Sequence, residues 1–172
     1  MKIDTVIFDM DGVIVDSEPV HQENERALFR ELGLEISDEE HSSYIGTSAI
    51  DAWKMIIEKH NLDKTPEELL ILGRNRYLDM LKSGNHVHLV DGSVSLIDYF
   101  VENQFGVLVA SSASRKTVLA VLEHFGIRDR FSVVTSATDI QKSKPAPDIF
   151  LKAAEWASVS PEACLVIEDS TN

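Results

Sequence analysis

Four short apolar runs rich in β-branched residues, at positions 3–8, 107–110, 132–135 and 164–167, constrain this chain more than any other feature. Runs of that length without polar alternation suit strands covered on both faces, as in a parallel sheet. Parallel neighbours need a crossover of a dozen or more residues, usually with a helix. The last three runs are separated by 21 and 28 residues, one helix each. Helical patterns fill both intervals: residues 114–125 stop at Gly126, and residues 147–157 offer Phe150, Ala153, Ala154 and Trp156 to a core. The expected fold is α/β, a doubly wound parallel-sheet (Rossmann-like) core with ligands bound outside the carboxyl ends of its strands.

The first interval breaks this rhythm, with 98 residues between Phe8 and Val107. Most of it reads as helical. Ser17 followed by Pro19 opens a helix that runs toward Gly33, Ser37 with Glu40 forms a capping box, and Thr65-Pro66-Glu67-Glu68 is a further start signal. The expected organisation is an all-helical insertion at residues 17–85 within a discontinuous core of residues 1–16 and 86–172. A length of 172 residues agrees with one domain carrying an insertion. After the last strand only residues 168–172 remain, so no helix follows to cover that strand, and a C-terminal truncation is expected.

Charge narrows the partners. Lys plus Arg is 16 and Asp plus Glu is 29, giving −13, which excludes an overall basic footprint for nucleic acid. A small anionic ligand would need positive charge supplied locally, by a metal ion, a lysine or backbone N–H groups. The sole cysteine, Cys164, rules out an internal disulfide and a thiolate cluster, and in a central strand it is expected to be inert. The apolar start is interrupted at once by Asp9 and Asp11, unlike a signal peptide, and no run reaches the ~20 apolar residues of a membrane span. A cytoplasmic protein is the expectation.

The candidate chemistry lies at the strand ends. Asp9-Met10-Asp11-Gly12 follows the first strand, where residues two apart share a side, so both carboxylates can face one ligand and Gly12 lets the chain turn. Taken alone, the motif reads more simply as a strand-end aspartate followed by a turn aspartate. An EF-hand is rejected because its glycine belongs at the sixth position and Gly12 stands fourth. Ser111-Ser112-Ala113-Ser114 joins a strand to a helix and can offer a hydroxyl and free N–H groups to a phosphate, or simply cap the helix. Lys144-Pro145-Ala146-Pro147 sets a cation before a rigid turn, and Glu168-Asp169 after the last strand can complete a magnesium site.

In this order the four motifs resemble the haloacid dehalogenase-like superfamily, specifically the phosphatase and β-phosphoglucomutase branch with a helical cap after the first strand. The matching stretches are FDMDGVIVDSE at 8–18, VASSAS at 109–114, SKPAPDIF at 143–150 and VIEDS at 166–170. The resemblance implies that Asp9 is the nucleophile and Asp11 the general acid/base. It implies that Asp9, the Asp11 carbonyl and Asp169, supported by Glu168, bind Mg²⁺, and that Ser111 and Lys144 hold the phosphoryl group. The implied activity is hydrolysis of a small phosphate monoester, such as a sugar phosphate, through an aspartyl phosphate.

The resemblance further implies that the insertion is a cap that selects substrate, with His21 and Arg74 or Arg76 as candidates. The mutase places an arginine after Gly46-Thr47-Ser48, where this chain has Ala49, which favours a phosphatase over a hexose-phosphate mutase. A phospho-accepting receiver module and an inactive fragment are the non-enzymatic alternatives. The receiver is disfavoured by the long insertion and by Glu168-Asp169. His86-Val87-His88 could bind a metal but is expected as an exposed strand or loop, and Trp53 and Trp156 are expected in the core.

Overall fold

A computed structural model describes residues 2–44, 47–84 and 87–170. The chain opens with β1 (Thr5–Phe8), followed by β2 (Val15–Asp16), α1 (Glu18–Glu31), α2 (Asp38–Ser43), α3 (Ala49–His60) and α4 (Pro66–Ser83). It continues through β3 (His88–Leu89), α5 (Ser93–Glu102), β4 (Gly106–Ser111), α6 (Arg115–His124), β5 (Val133–Ser136), α7 (Asp148–Ala157) and β6 (Cys164–Ile167). Residues Pro19–Ser83 form one compact unit and the remainder of the chain the other.

The larger unit is built on a parallel sheet of order β5-β4-β1-β6. Its central strand β1 is wholly buried, as the apolar run at its position requires. Ile7, Leu108 and Ala110 of the sheet pack with Ile149 and Ala153 of α7. Phe8 meets Phe100 and Phe131 edge-on at 6.1 and 6.4 Å, a favourable arrangement for ring quadrupoles. Ser114 caps α6 by accepting the Thr117 N–H, and Gly126 beyond that helix takes φ +65°. The short strands β2 and β3 pair antiparallel, Val15 with Leu89 and Asp16 with His88, so the chain leaves and re-enters this unit side by side.

Two expectations about placement fail. β6 is an edge strand among the described residues, with Leu165 and Val166 exposed, which agrees with the lack of a following helix and corrects only the central position expected for it. Cys164 therefore sits in an edge strand, half-buried, with its thiol pushed upward by burial. Trp156 is not core either. It is 44% exposed on α7, with the Arg115 guanidinium 5.6 Å from its ring centroid. A large ring can satisfy an amphipathic pattern at the rim of a helix face while covering an arginine.

The helical unit has its own core of Leu28, Phe29, Tyr44, Trp53, Ile56 and Leu69, with Phe29 and Trp53 in edge contact at 5.8 Å. Its start signals are used. Thr65 and Glu68 exchange hydrogen bonds as a reciprocal cap ahead of α4, with Pro66 in the first turn. Ser37 accepts the Glu40 N–H at 3.1 Å. The Glu40 side chain is occupied elsewhere: its Oε1 accepts from Tyr44 at 2.7 Å and lies 2.9 Å from both Lys59 Nζ and His60 Nε2. His60 first, then Lys59 and Tyr44, hold the Glu40 carboxyl down to about 2, while burial and Glu40 push the Tyr44 hydroxyl up to about 12. No helix among the described residues is long and apolar enough to cross a membrane.

Two outcomes follow from this packing. Leu108→Ala, which empties a fully buried site, should cost about 2–5 kcal/mol in urea unfolding. Stability contributed by Glu40 is complete above its ordinary value of 4.5 and is lost as pH falls toward about 2. The parent should therefore lose more stability than Glu40→Gln between pH 5 and the acid limit, as measured by thermal midpoints across that window.

Candidate functional site

The carboxyl end of β1 delivers Asp9 directly into the gap between its neighbours, where its N–H continues the ladder to Ile167 O at 2.9 Å. Asp9 is only 5% exposed. Lys144, from the segment between β5 and α7, brings Nζ to 3.0 Å from Asp9 Oδ1 and 2.7 Å from Glu168 Oε2. The same ammonium lies 4.9 Å from the Phe150 ring centroid. Asp169 completes the group: one carboxylate oxygen each of Asp9, Glu168 and Asp169 falls within 4.8 Å of the others.

The electrostatics of this cluster are unbalanced. Burial raises the Asp9 carboxyl to about 6, against the pull of Lys144 and with further help from Glu168. Burial alone would lower the Lys144 ammonium, yet Glu168 and Asp9 together hold it above its ordinary value. Three carboxylates thus cluster around one ammonium that pairs with two of them, Asp9 and Glu168. Asp9 Oδ1 is buried, and the Lys144 ammonium at 3.0 Å is the cation that faces it. A buried oxygen of this kind is costly unless a cation or donor satisfies it. An all-oxygen set with excess negative charge is the donor chemistry that Mg²⁺ favours, so Asp9, Glu168 and Asp169 fit such an ion.

Gly12 is required by this arrangement. It takes φ +76°, and a Cβ placed on it would overlap the Asp169 carboxylate. Its N–H bonds to Val15 O at 2.8 Å while Ile14 and Val15 return to Met10 O at 2.8 and 3.0 Å, a tight turn that folds the chain back.

That turn creates a second hydrogen-bonded set around Asp11. Ser17 Oγ donates to Asp11 Oδ1 at 2.7 Å, and Ser111 Oγ donates to Oδ2 at 3.4 Å. Ser111 is fully buried and its oxygen accepts the Ala113 N–H at 3.0 Å. The next residue, Ser112, is exposed, and among the described residues its hydroxyl has no partner. The geometry therefore brings Asp9, Lys144, Glu168 and Asp169 into one charged cluster and joins Asp11 with Ser111 in another.

The role of Ser17 is not visible in sequence. It reads there as a helix start, and only the turn at Gly12 carries its hydroxyl to a residue six positions earlier. The remaining candidates lie in the helical unit. His21 stacks on Tyr77 with ring centroids 5.0 Å apart, and Arg74 has a buried Nε without a hydrogen-bond partner among the described residues. Arg76 donates to Glu31 at 2.8 Å. His86 and Gly46 lie outside the described residues, whereas His88 stands in β3 and is exposed.

Comparison with known proteins places this arrangement in context. A family model described as haloacid dehalogenase-like hydrolase matches residues 6–172. The fructose-1-phosphate phosphatase YqaB of Escherichia coli is 31% identical over 96% of this chain and 86% of its own length. Protein CbbY of Rhodobacter capsulatus is 28% identical over 99% of this chain and 78% of its own. Among solved structures, β-phosphoglucomutase from Clostridium difficile superposes with a TM-score of 0.78 at 28% identity, covering 98% of this chain and 77% of that one.

Gly12→Ala should separate the Gly12 turn from the rest of the fold. Left-handed backbone costs an alanine roughly 1–2 kcal/mol, and the methyl group must displace Asp169. The thermal midpoint should fall modestly, and the stabilisation conferred by millimolar Mg²⁺ on the parent should shrink in the variant; both are read by differential scanning calorimetry.

Proposed function

The chain belongs to the haloacid dehalogenase-like hydrolases, and from that membership we propose that it is a phosphatase acting on a small phosphate monoester, with a sugar phosphate as the favoured class. The observation that carries this reading is the buried Asp9 held between Lys144 and the Glu168-Asp169 pair. Asp9 attacks phosphorus, the ester P–O bond breaks, and an aspartyl phosphate forms. Lys144 opposes the repulsion between the carboxylate and the phosphoryl oxygens as they approach. Mg²⁺, which Asp9 and Asp169 would hold with the Asp11 carbonyl and Glu168 in support, would supply the remaining charge neutralisation.

Asp11 gives its proton to the departing alkoxide, which is a poor leaving group unprotonated. It then takes a proton from the water that attacks the aspartyl phosphate, releasing inorganic phosphate and restoring Asp9. Ser17 and Ser111 hold the Asp11 carboxyl in place for both transfers. The serine pair at the end of β4 serves the phosphoryl group, with Ser112 better exposed to do so than the buried Ser111.

In this reading Pro19–Ser83 is the substrate-selecting cap, with His21 and Arg74 as its recognition residues. Arg74, whose Nε is buried with no hydrogen-bond partner among the described residues, is the cation that this reading assigns to a distal anionic group. The likeness to β-phosphoglucomutase sustains a second reading, phosphate transfer between two positions of a hexose phosphate. Ala49, in the place where the mutase has an arginine, weighs against it.

Phosphate release across a panel of phosphorylated sugars and nucleotides, with and without chelator, tests the proposal. Chelation and Asp9→Asn should each reduce release by at least about 10³-fold, the scale expected when the main electrostatic or nucleophilic group is lost. Metal-dependent release surviving in Asp9→Asn would overturn the assignment. Conversion of β-glucose 1-phosphate to glucose 6-phosphate without free phosphate would establish the mutase.

A further inference from the structure

The two groups proposed to grip the phosphoryl oxygens stand on neighbouring loops, and nothing in strand pairing fixes their separation. Ser111 and Ser136 are register partners at the ends of β4 and β5, after which the chains part. The first chain turns into α6. The second forms a 3-10 turn, Ala137–Asp139, and runs on to Lys144 before α7 begins at Asp148. Lys144 is thus eight residues beyond the last paired position.

Arg115, the first residue of α6, bridges that divergence. One terminal nitrogen donates to Val134 O at 3.2 Å and to Asp139 Oδ2 at 3.1 Å. The same Asp139 oxygen accepts the Ser136 N–H at 2.9 Å and the Ser136 hydroxyl at 2.6 Å, so the carboxylate is fixed before the arginine reaches it. The guanidinium also lies over Trp156 of α7, 5.6 Å from its centroid, within cation–π range. A backbone bond from Ala137 N to Ala113 O at 3.0 Å ties the two loops alongside. Arg115 therefore grips both ends of the segment that carries Lys144: its start at Asp139, and the helix after it, whose Phe150 lies beneath the lysine.

We propose that Arg115 is a positioning residue which, through Asp139 and Trp156, sets the distance between the β4 serines and Lys144 and so tunes the affinity of the phosphoryl site. The inference rests on the phosphatase reading above. With 44% of its side chain exposed, the Arg115–Asp139 pair is a weak source of folding stability, so its consequence falls on placement. Displacements of about 1 Å at a catalytic site can cost on the order of 10²-fold in rate. Lysine is not an adequate substitute, because a single ammonium cannot reproduce a planar fork stacked on indole.

The test is calorimetric titration of inorganic phosphate in the presence of Mg²⁺, with kcat/KM on the best substrate of the panel as a second readout. Arg115→Ala should weaken phosphate binding and lower kcat/KM by about tenfold, with a thermal midpoint close to the parent's. Asp139→Asn should do the same to a smaller degree, and the double variant should be no worse than Arg115→Ala alone, because both act through one clasp. Arg115→Lys should not restore the parent's affinity. Phosphate affinity within twofold of the parent in Arg115→Ala, or losses that multiply in the double variant, would overturn the clasp while leaving the functional reading intact. A parent that neither binds phosphate nor turns over would instead overturn the functional reading, and the clasp with it.

Discussion

The ion pair between Asp9 and Lys144 is the constraint around which the larger unit is arranged. A carboxylate at the end of the central strand is buried by the sheet that presents it, and burial opposes its charge. The ammonium at 3.0 Å recovers part of that cost and is itself shared with Glu168. Because Asp9, Lys144 and the Glu168-Asp169 pair come from three separate loops, the balance exists only when β1 and β6 pair and β4 carries β5 into the same sheet. The parallel topology is thus a means of bringing distant charges to one end of a sheet, where low local dielectric magnifies both repulsion and attraction.

Much of this was legible in sequence because the same residues serve fold and site. Apolar runs located β1, β4, β5 and β6 to within about two residues, and their carboxyl ends located Asp9, Ser111 and Glu168. Where the reading failed, the missing information was three-dimensional. The run at 164–167 reads as a central strand, yet a strand's neighbours are not written in its own residues, and among the described residues β6 is an edge strand beside β1. Trp156 has the spacing of a core residue, and its exposure follows from its place at the rim beneath Arg115. Helix α5 lies outside the expected segments because Gly92 precedes it and supplies no side-chain cap.

The residues invisible in sequence are those that act through partners far along the chain. Ser17 reaches Asp11 only because Gly12 reverses the backbone, and Arg115 reaches Asp139 across 24 residues. Ser17 falls within the 8–18 stretch with no role legible there, and Arg115 lies just beyond the 109–114 stretch. This divides labour within the strand-end loops: motif residues supply the charged groups, and their neighbours supply hydrogen bonds that tie the loops to one another. The helical unit follows a different logic, since its core and its Glu40 cluster are self-contained.

The central claim is that charges from three loops define one place for a divalent cation and a phosphoryl group. A crystal structure grown with Mn²⁺ and inorganic phosphate, using the anomalous signal of the metal, addresses it most directly. The account predicts a single strong anomalous peak coordinated by Asp9 and Asp169, with a phosphate oxygen against Lys144 Nζ. A metal found elsewhere, or a phosphate bound without contact to Lys144, would contradict it.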